Sequence, residues 1–450
     1  MLADMPPPTR STPDACPGAL RLHRAEDGRV ARIRVPGGVL TGRQAELLGD
    51  AAERLGDGRL GITSRGNVEI RGLAERDAPE WTALLTGAGL LPSYRHERVR
   101  NIVAGPLSGL DGRGHADARS WAAELDALLC GQEWTAELSG RFLFVLDDGR
   151  GDVSGLGGDV TAAAAPGGRA VLCVAGQRVA LATSDVPRAA LAAAGAFLDA
   201  ARAAGTGAWR VGELPSGHVP DLGAALRRAG LSCDEAGVPS EPGAPAAGPA
   251  PGLLPAPDGT AVLSVFPRLG RLSVAQWRAL LPLPGGELRL TPWRGIVLPG
   301  CPAAGAEGRL AELERAGFVT RADSPWYGAG TCTGLPGCAK SRTDVRSDAA
   351  AAVASGARVP GGADGSAVTP ADAAVPAAER HLPVYWSGCE RRCGHPGGDW
   401  VDVLATGAPS ASASDAYRVT VHRAPAPDAV SGTPPRPVTV PTPPTRASAQ

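Results

Sequence analysis

Apolar and polar positions alternate along Arg29–Val35, the pattern of a half-buried strand. Pro36-Gly37-Gly38 breaks the alternation, and the spacing then changes. Ala45, Leu47, Leu48, Ala51 and Leu55 recur at helical intervals, with Thr41 placed to cap the helix N-terminus. Gly56 and Gly58 end this helix, and two further strands are predicted at Leu60–Ile62 and Asn67–Leu73, split by Ser64-Arg65-Gly66. The same order returns later. Thr260–Phe266 reads as a strand, Pro267–Gly270 as a turn, Leu272-Ser273 as the cap of a helix through Trp277 and Leu280, and Leu288–Leu290 with Ile296–Leu298 as a strand pair. Leu60–Gly72 lies over Leu288–Gly300 without a gap, so the pattern predicts an internal repeat of a β-α-β-β unit.

Each unit is followed by a larger segment. After the first, strands are predicted at Val99–Val103, Arg141–Leu146 and Ala170–Val174, with helices at Ala116–Leu129 and Pro187–Ala204. The expected organisation is α+β: a loose Pro-rich start over 1–17, a small half-domain over 18–95, an α/β domain over 96–236, and a Pro/Ala/Gly-rich linker over 237–255. A second half-domain follows over 256–322, then a second larger domain over 323–423 with an Ala/Gly/Pro-rich loop at 354–376, and a disordered tail over 424–450.

Composition changes this picture little. The chain has 450 residues, 43% hydrophobic and 20% charged, enough for several packed domains. Lys340 is the one lysine among 45 basic residues, a bias matching the abundance of Ala, Gly and Pro. The formal net charge of −1 argues against a nucleic-acid surface. No apolar run is long enough to predict a membrane span, and the first residues lack a basic and then apolar leader, so a cytoplasmic protein is expected. There, nine cysteines predict ligands or buried thiols rather than disulfides. Cys16, Cys130, Cys173, Cys233 and Cys301 show no paired spacing and read as structural.

The other four cysteines carry the chemistry. Cys332 and Cys338 have five residues between them, Cys389 and Cys393 three, and fifty residues separate the pairs. Four thiolates suit zinc or an iron–sulfur cluster, and these gaps fit paired zinc ligands poorly. Gly334, Gly337, Gly388 and Gly394 let backbone N–H groups come close to cluster sulfide. The glycines at 155, 157 and 158 lack dinucleotide-fingerprint spacing, so no tightly bound NADH is expected.

With these motifs the chain resembles the nitrite/sulfite reductase superfamily, whose members repeat a ferredoxin-like half-domain and a larger α/β domain. The resemblance covers roughly residues 18–423. It implies that Cys332, Cys338, Cys389 and Cys393 hold a [4Fe–4S] cluster, that Thr63-Ser64-Arg65-Gly66-Asn67 is an anion-binding hairpin, and that Arg100-Asn101-Ile102-Val103 carries a second active-site arginine. Two departures weigh against a sirohaem nitrite or sulfite reductase. Arg141 and Leu143 stand where the reductases carry two lysines, and Trp400 replaces an acidic residue seven positions after the last cysteine. Cys389-x-x-x-Cys393-x-His395-Pro396, Cys16-Pro17-Gly18, the segment Asp152–Val160 and Trp209-Arg210-Val211-x-Glu213 resemble instead the precorrin-3B synthases within that superfamily.

That resemblance implies a monooxygenase that hydroxylates precorrin-3A at C20 with dioxygen and closes a γ-lactone, using the cluster and a non-haem iron. An external electron donor, a ferredoxin or an NADH-dependent reductase, would supply electrons. A polycarboxylate tetrapyrrole needs guanidinium partners, and Arg65, Arg71, Arg98, Arg100 and Arg141, with Lys340, Arg342 and Arg346 after Cys338, are the candidates. Arg65, Arg100 and Arg141 are expected to act on the substrate. His395 is expected either to donate to the cluster or to bind iron. Sirohaem is expected only in the reductase alternative; the other alternative is a cluster protein that only transfers electrons.

Overall fold

The structure, a computed structural model, describes Asp14 and residues 16–234, 248–359, 382–407 and 416–423. The rest of the start, most of the expected linker and 354–376 loop, His381 and the C-terminal tail lie outside these residues. The chain divides between Tyr327 and Gly328 into two units.

In the first unit, β1 (His23–Ala25), β2 (Gly28–Ile33) and β3 (Val39–Thr41) lead into α1 (Gly42–Arg54). The Thr41 hydroxyl accepts the Gln44 N–H while the Gln44 side chain accepts the Thr41 N–H, satisfying two donors at the helix start. Then come β4 (Arg59–Ile62), β5 (Val68–Leu73) and α2 (Ala78–Gly87). The larger domain follows with β6 (Ile102–Ala104), α3 (Ala118–Cys130), β7 (Phe144–Asp147), β8 (Val160–Ala165), β9 (Arg169–Val174), β10 (Gln177–Ala182), α4 (Val186–Ala204) and α5 (Leu222–Arg228). The second half-domain supplies β11 (Gly252–Pro255), β12 (Thr260–Pro267), β13 (Arg271–Ser273), α6 (Val274–Ala279), β14 (Glu287–Leu290), β15 (Ile296–Pro302), α7 (Ala306–Arg315) and β16 (Phe318–Val319). Ser273 and Gln276 form the same reciprocal cap on α6 as Thr41 and Gln44 on α1.

The two half-domain sheets run β1-β2-β5-β4-β13 and β11-β12-β15-β14-β3. Each therefore ends on a three-residue strand from the other copy. Leu272 pairs with Leu60, and Leu40 with Leu288, all four fully buried. The exchange joins both half-domains in one core, and the Trp277 indole crosses it to donate to the Ala45 carbonyl at 2.6 Å. Leu40-Thr41 and Leu272-Ser273, expected to lead into and cap their helices, are also these exchanged strands. The segment expected to be linker ends in β11.

The larger domain of the first unit has the sheet order β10-β9-β8-β7-β6, with β6, β7 and β8 parallel. In the second unit, β17 (Ala329–Thr331), α8 (Val345–Ala354), β18 (Val384–Ser387), β19 (Trp400–Ala405) and β20 (Tyr417–His422) form a sheet in which β17, β18 and β19 are parallel and β20 antiparallel. The loops joining β7 to β8 and β18 to β19, residues 148–159 and 388–399, have equal length. Gly105 donates to the Leu146 carbonyl just as Cys332 donates to that of Trp386. The larger domain is thus also present twice.

Candidate functional site

Three segments singled out in the sequence meet in the first unit. The turn between β4 and β5 is closed by Thr63, whose N–H donates to the Asn67 carbonyl and whose hydroxyl accepts the Arg65 and Asn67 N–H groups. Gly66 has φ +65°, and a Cβ there would sit 2.9 Å from the Leu290 carbonyl oxygen, so glycine is required. The Asn67 amide donates to Asn101 Oδ1 at 3.2 Å, and the Asn101 amide donates to the Phe142 carbonyl at 3.1 Å. Both asparagines are fully buried. This chain of amides holds the Arg65 hairpin, the Arg100–Asn101 segment and the Arg141–Phe142 segment in one place.

The arginines they carry have different fates. Arg65 makes no side-chain hydrogen bond or ion pair among the described residues. Burial pushes its guanidinium down to about 10, and the charges of Arg210 and Arg32 push the same way. Arg34, 2% exposed, donates to the Arg98 and Gly140 carbonyls, and burial with the charges of Arg32 and Arg65 brings it down to about 9. Arg210 is held by Asp159 at 2.5 Å, and Arg141 lies over the Trp209 ring at 4.9 Å. Burial would raise the Asp14 carboxyl, but the Cys16 N–H, the Ser139 hydroxyl and Arg98 hold it below its usual range. Arg32, Arg34, Arg65 and Arg210, with Arg98 and Arg141 at Asp14, thus gather positive charge beyond what the adjoining Glu69, Asp14, Glu97 and Asp159 neutralise, an arrangement suited to binding a polyanion.

Arg100 does not join them. It is 4% exposed, binds both oxygens of Asp126 on α3 at 2.6 and 2.7 Å, and donates to the Leu90 carbonyl. Its side chain is committed to the fold, which corrects the expectation that it acts on substrate. Arg71 is likewise taken up by Asp27 and Glu69. Leu143, where the reductases carry a lysine, is 3% exposed among Val103, Val145 and Val153. Arg34 and Arg32 were missed because they read as ordinary strand positions. Cys16, read from the sequence as structural, donates its N–H to Asp14 Oδ1 beside these arginines. Arg210 and Asp159 did lie within quoted motifs.

In the second unit, Cys332 directly follows β17, and Cys389 lies two residues beyond β18, so both pairs emerge at the same end of adjacent parallel strands. The Arg342 N–H donates to the Gly388 carbonyl, tying the segment after Cys338 to the second pair. Gly388 donates its N–H to Cys332 Sγ at 3.2 Å. A Cβ at Gly388 would lie 1.8 Å from Ser341 Oγ, and Gly334 has φ +73°, so both positions need glycine to wrap the thiols. Burial pushes the Cys332 thiol up, the Gly388 and Gly334 N–H groups pull it back, and the nearby charges of Cys393 and Cys338 push it up again. Thiols crowded in this way would bind as thiolates only with a cationic metal or cluster between them. The donor set, glycine cradle and N–H contact to sulfur fit an iron–sulfur cluster.

His395 is exposed; its Nδ1 lies 2.8 Å from the Pro396 carbonyl and its ring stacks on Trp400, which His422 covers on the other face. Arg342 donates to the Ala405 and Thr406 carbonyls, and Arg346 to that of Cys332 at 3.5 Å, so both serve the loop structure. No helix among the described residues is long and apolar enough to cross a membrane.

The folding pattern defines the class. Residues 22–88 match the nitrite/sulfite reductase ferredoxin-like half domain. The solved NirA protein of Mycobacterium tuberculosis superposes with a TM-score of 0.66 at 17% identity, covering 88% of this chain and 74% of that one. The fold is that of the nitrite/sulfite reductases. Within this class, the chain is similar to precorrin-3B synthase from a Sinorhizobium species, 26% identical over 406 residues, 88% of this chain and 81% of that one. A ferredoxin–nitrite reductase from Synechococcus elongatus is 35% identical over 128 residues, 27% of this chain and only 25% of that one. These relatives are oxidoreductases or tetrapyrrole-pathway enzymes by name, as expected from the motifs.

Proposed function

We propose that the protein is a precorrin-3B synthase-type monooxygenase, converting precorrin-3A to a C20-hydroxylated γ-lactone. The similarity to precorrin-3B synthase along nearly the whole of both chains carries this reading. One atom of dioxygen enters the substrate, and the other leaves as water with two electrons and two protons from an external donor. Cys332, Cys338, Cys389 and Cys393 would hold a [4Fe–4S] cluster, which supplies one-electron transfer when bound. The chain's own contribution is recognition and orientation. Arg65, with no side-chain hydrogen bond or ion pair among the described residues, would take an acetate or propionate of the macrocycle. Arg141 presents a second cation against Trp209, Asp159 fixes Arg210, and buried Arg34 strengthens the local positive field. His395 is a candidate ligand for a non-haem iron through Nε2. A His395→Ala variant that keeps its full non-cluster iron would remove it from that role.

The test is incubation of cluster-loaded protein with precorrin-3A, reductant and isotopically labelled dioxygen. A product carrying one labelled oxygen is expected; its absence under conditions where a known synthase turns over would refute the proposal. The second reading, a sirohaem nitrite or sulfite reductase, draws on the half-domain match. Buried Leu143 in place of a cation speaks against it, because multi-proton reduction of a small anion relies on clustered donors. A strong Soret band from purified protein would reinstate it.

A further inference from the structure

Apart from the arginine and cysteine groups, Asp147, Asp148 and Asp152 gather at the end of β7. All three are buried, and one carboxylate oxygen from each lies within 4.8 Å of the others. Asp147 accepts the N–H groups of Gly149, Gly151, Val153 and Ser154 and the Ser154 hydroxyl, which shapes the loop. Asp148 is bound by Arg150, which also binds Asp111. Asp152 differs: it is 6% exposed, and neither carboxylate oxygen has a hydrogen-bond partner. It faces the Gly105 backbone beside Asp148, where an added Cβ would lie 3.2 Å from Asp152 Oδ1 and 3.8 Å from Asp148 Oδ1. A buried carboxylate left unpaired costs several kcal/mol or is neutralised. Arg150 pairs with Asp111 and Asp148 and the loop N–H groups serve Asp147, which leaves Asp152 the unmatched carboxylate of the group.

The repeat gives this place a meaning. The loop 148–159 corresponds to 388–399, which carries Cys389 and Cys393, and the strand ends around it correspond through the matching Gly105 and Cys332 hydrogen bonds. Ligands in parallel sheets gather at the carboxyl ends of strands. One copy offers soft thiolates there, the other hard carboxylates.

We propose that Asp147, Asp148 and Asp152 hold a hard divalent cation, calcium, clamping the loops that follow β6 and β7. Carboxylate oxygens without thiol or imidazole favour calcium, magnesium or manganese over zinc or copper. Calcium accepts irregular oxygen sets at about 2.3–2.6 Å, whereas magnesium demands a near-ideal octahedron at about 2.0–2.1 Å, and carboxylates already tied to loop N–H groups and to Arg150 suit the more tolerant ion. All of these ligands come from the first unit, and none is a cluster cysteine.

The experiment is calcium titration of chelator-treated, desalted protein by calorimetry and by thermal unfolding, for wild type, Asp152→Asn and Asp148→Asn. One calcium per chain, a raised melting temperature, and at least tenfold weaker binding in Asp152→Asn with unchanged iron and sulfide content are expected. Absence of calcium binding to wild type overturns the proposal, as does undiminished binding by Asp152→Asn. Should that variant not fold, undiminished binding by Asp148→Asn overturns it equally. Wild type that binds no calcium while Asp152→Asn melts higher would mean that Asp152 is a protonated buried acid.

Discussion

Replacing Arg65 and Arg100 by alanine should separate recognition from folding. The two arginines lie on segments joined through Asn67 and Asn101 and look equivalent in sequence. Arg100 forms a bidentate pair with Asp126, with side chains 5% and 18% exposed, and caps the Leu90 carbonyl. Its removal strands a largely buried carboxylate and costs about 3–5 kcal/mol of stability. Arg65 makes no side-chain hydrogen bond or ion pair among the described residues, and the charges of Arg210 and Arg32 oppose it more than Asp159 helps. Its removal relieves like-charge repulsion and should change stability by about 0.5 kcal/mol or less. A substrate carboxylate that loses this guanidinium loses about 1.5–3 kcal/mol, roughly ten- to a hundredfold in affinity. Urea unfolding would measure the first effect, and binding of a polycarboxylate tetrapyrrole, followed by its absorbance, the second. Arg65→Ala should leave the unfolding midpoint in place and weaken binding, with the loss shrinking at high salt. The reasoning fails if Arg65→Ala unfolds as readily as Arg100→Ala, or if tetrapyrrole affinity does not change.

Burial would raise Glu69, but Arg32 and Arg71 hold it below its ordinary 4.5, so its stabilising contribution is full above that value and is lost as pH falls through the lowered folded value. Glu69→Gln should therefore flatten the acid limb of the stability–pH curve. Gly388→Ala should lower iron content, and adding Ser341→Gly, which removes both the Oγ and Cβ clashes at 1.8 and 2.8 Å, should restore part of it. Cys332→Ser should abolish the broad visible absorbance and acid-labile sulfide of a reconstituted cluster while leaving the far-ultraviolet circular dichroism close to wild type. Trp277→Ala, which empties a fully buried site and breaks the bond to Ala45, should cost about 3–5 kcal/mol in denaturant unfolding.

How far the site was legible follows from range. Cys332, Cys338, Cys389 and Cys393 could be paired because thiol spacing is a local property, and the β17–β18 neighbourhood only had to bring two such pairs to one edge. Arg65 was flagged by its turn, whose Gly66 and Asn67 are needed locally. Arg100 was misread because a motif says which backbone segment is present, not where a long side chain turns; Asp126 on a separate helix decided that. Arg34 carried no local mark and Asp152 lay in a quoted motif without a role, since burial without compensation exists only after strands distant in sequence have packed.

The chain by itself determined the repeated β-α-β-β units, their matching helix caps and the grouping of thiols, because strand alternation, helical spacing and capping act over a few residues. The tertiary structure alone decided the exchange of β3 and β13 between half-domains, the gathering of arginines around Arg65, and the meeting of three carboxylates beside Gly105. Three-residue strands are too short to declare themselves, and the energy of a charge depends on which other charges and how much water the fold leaves near it.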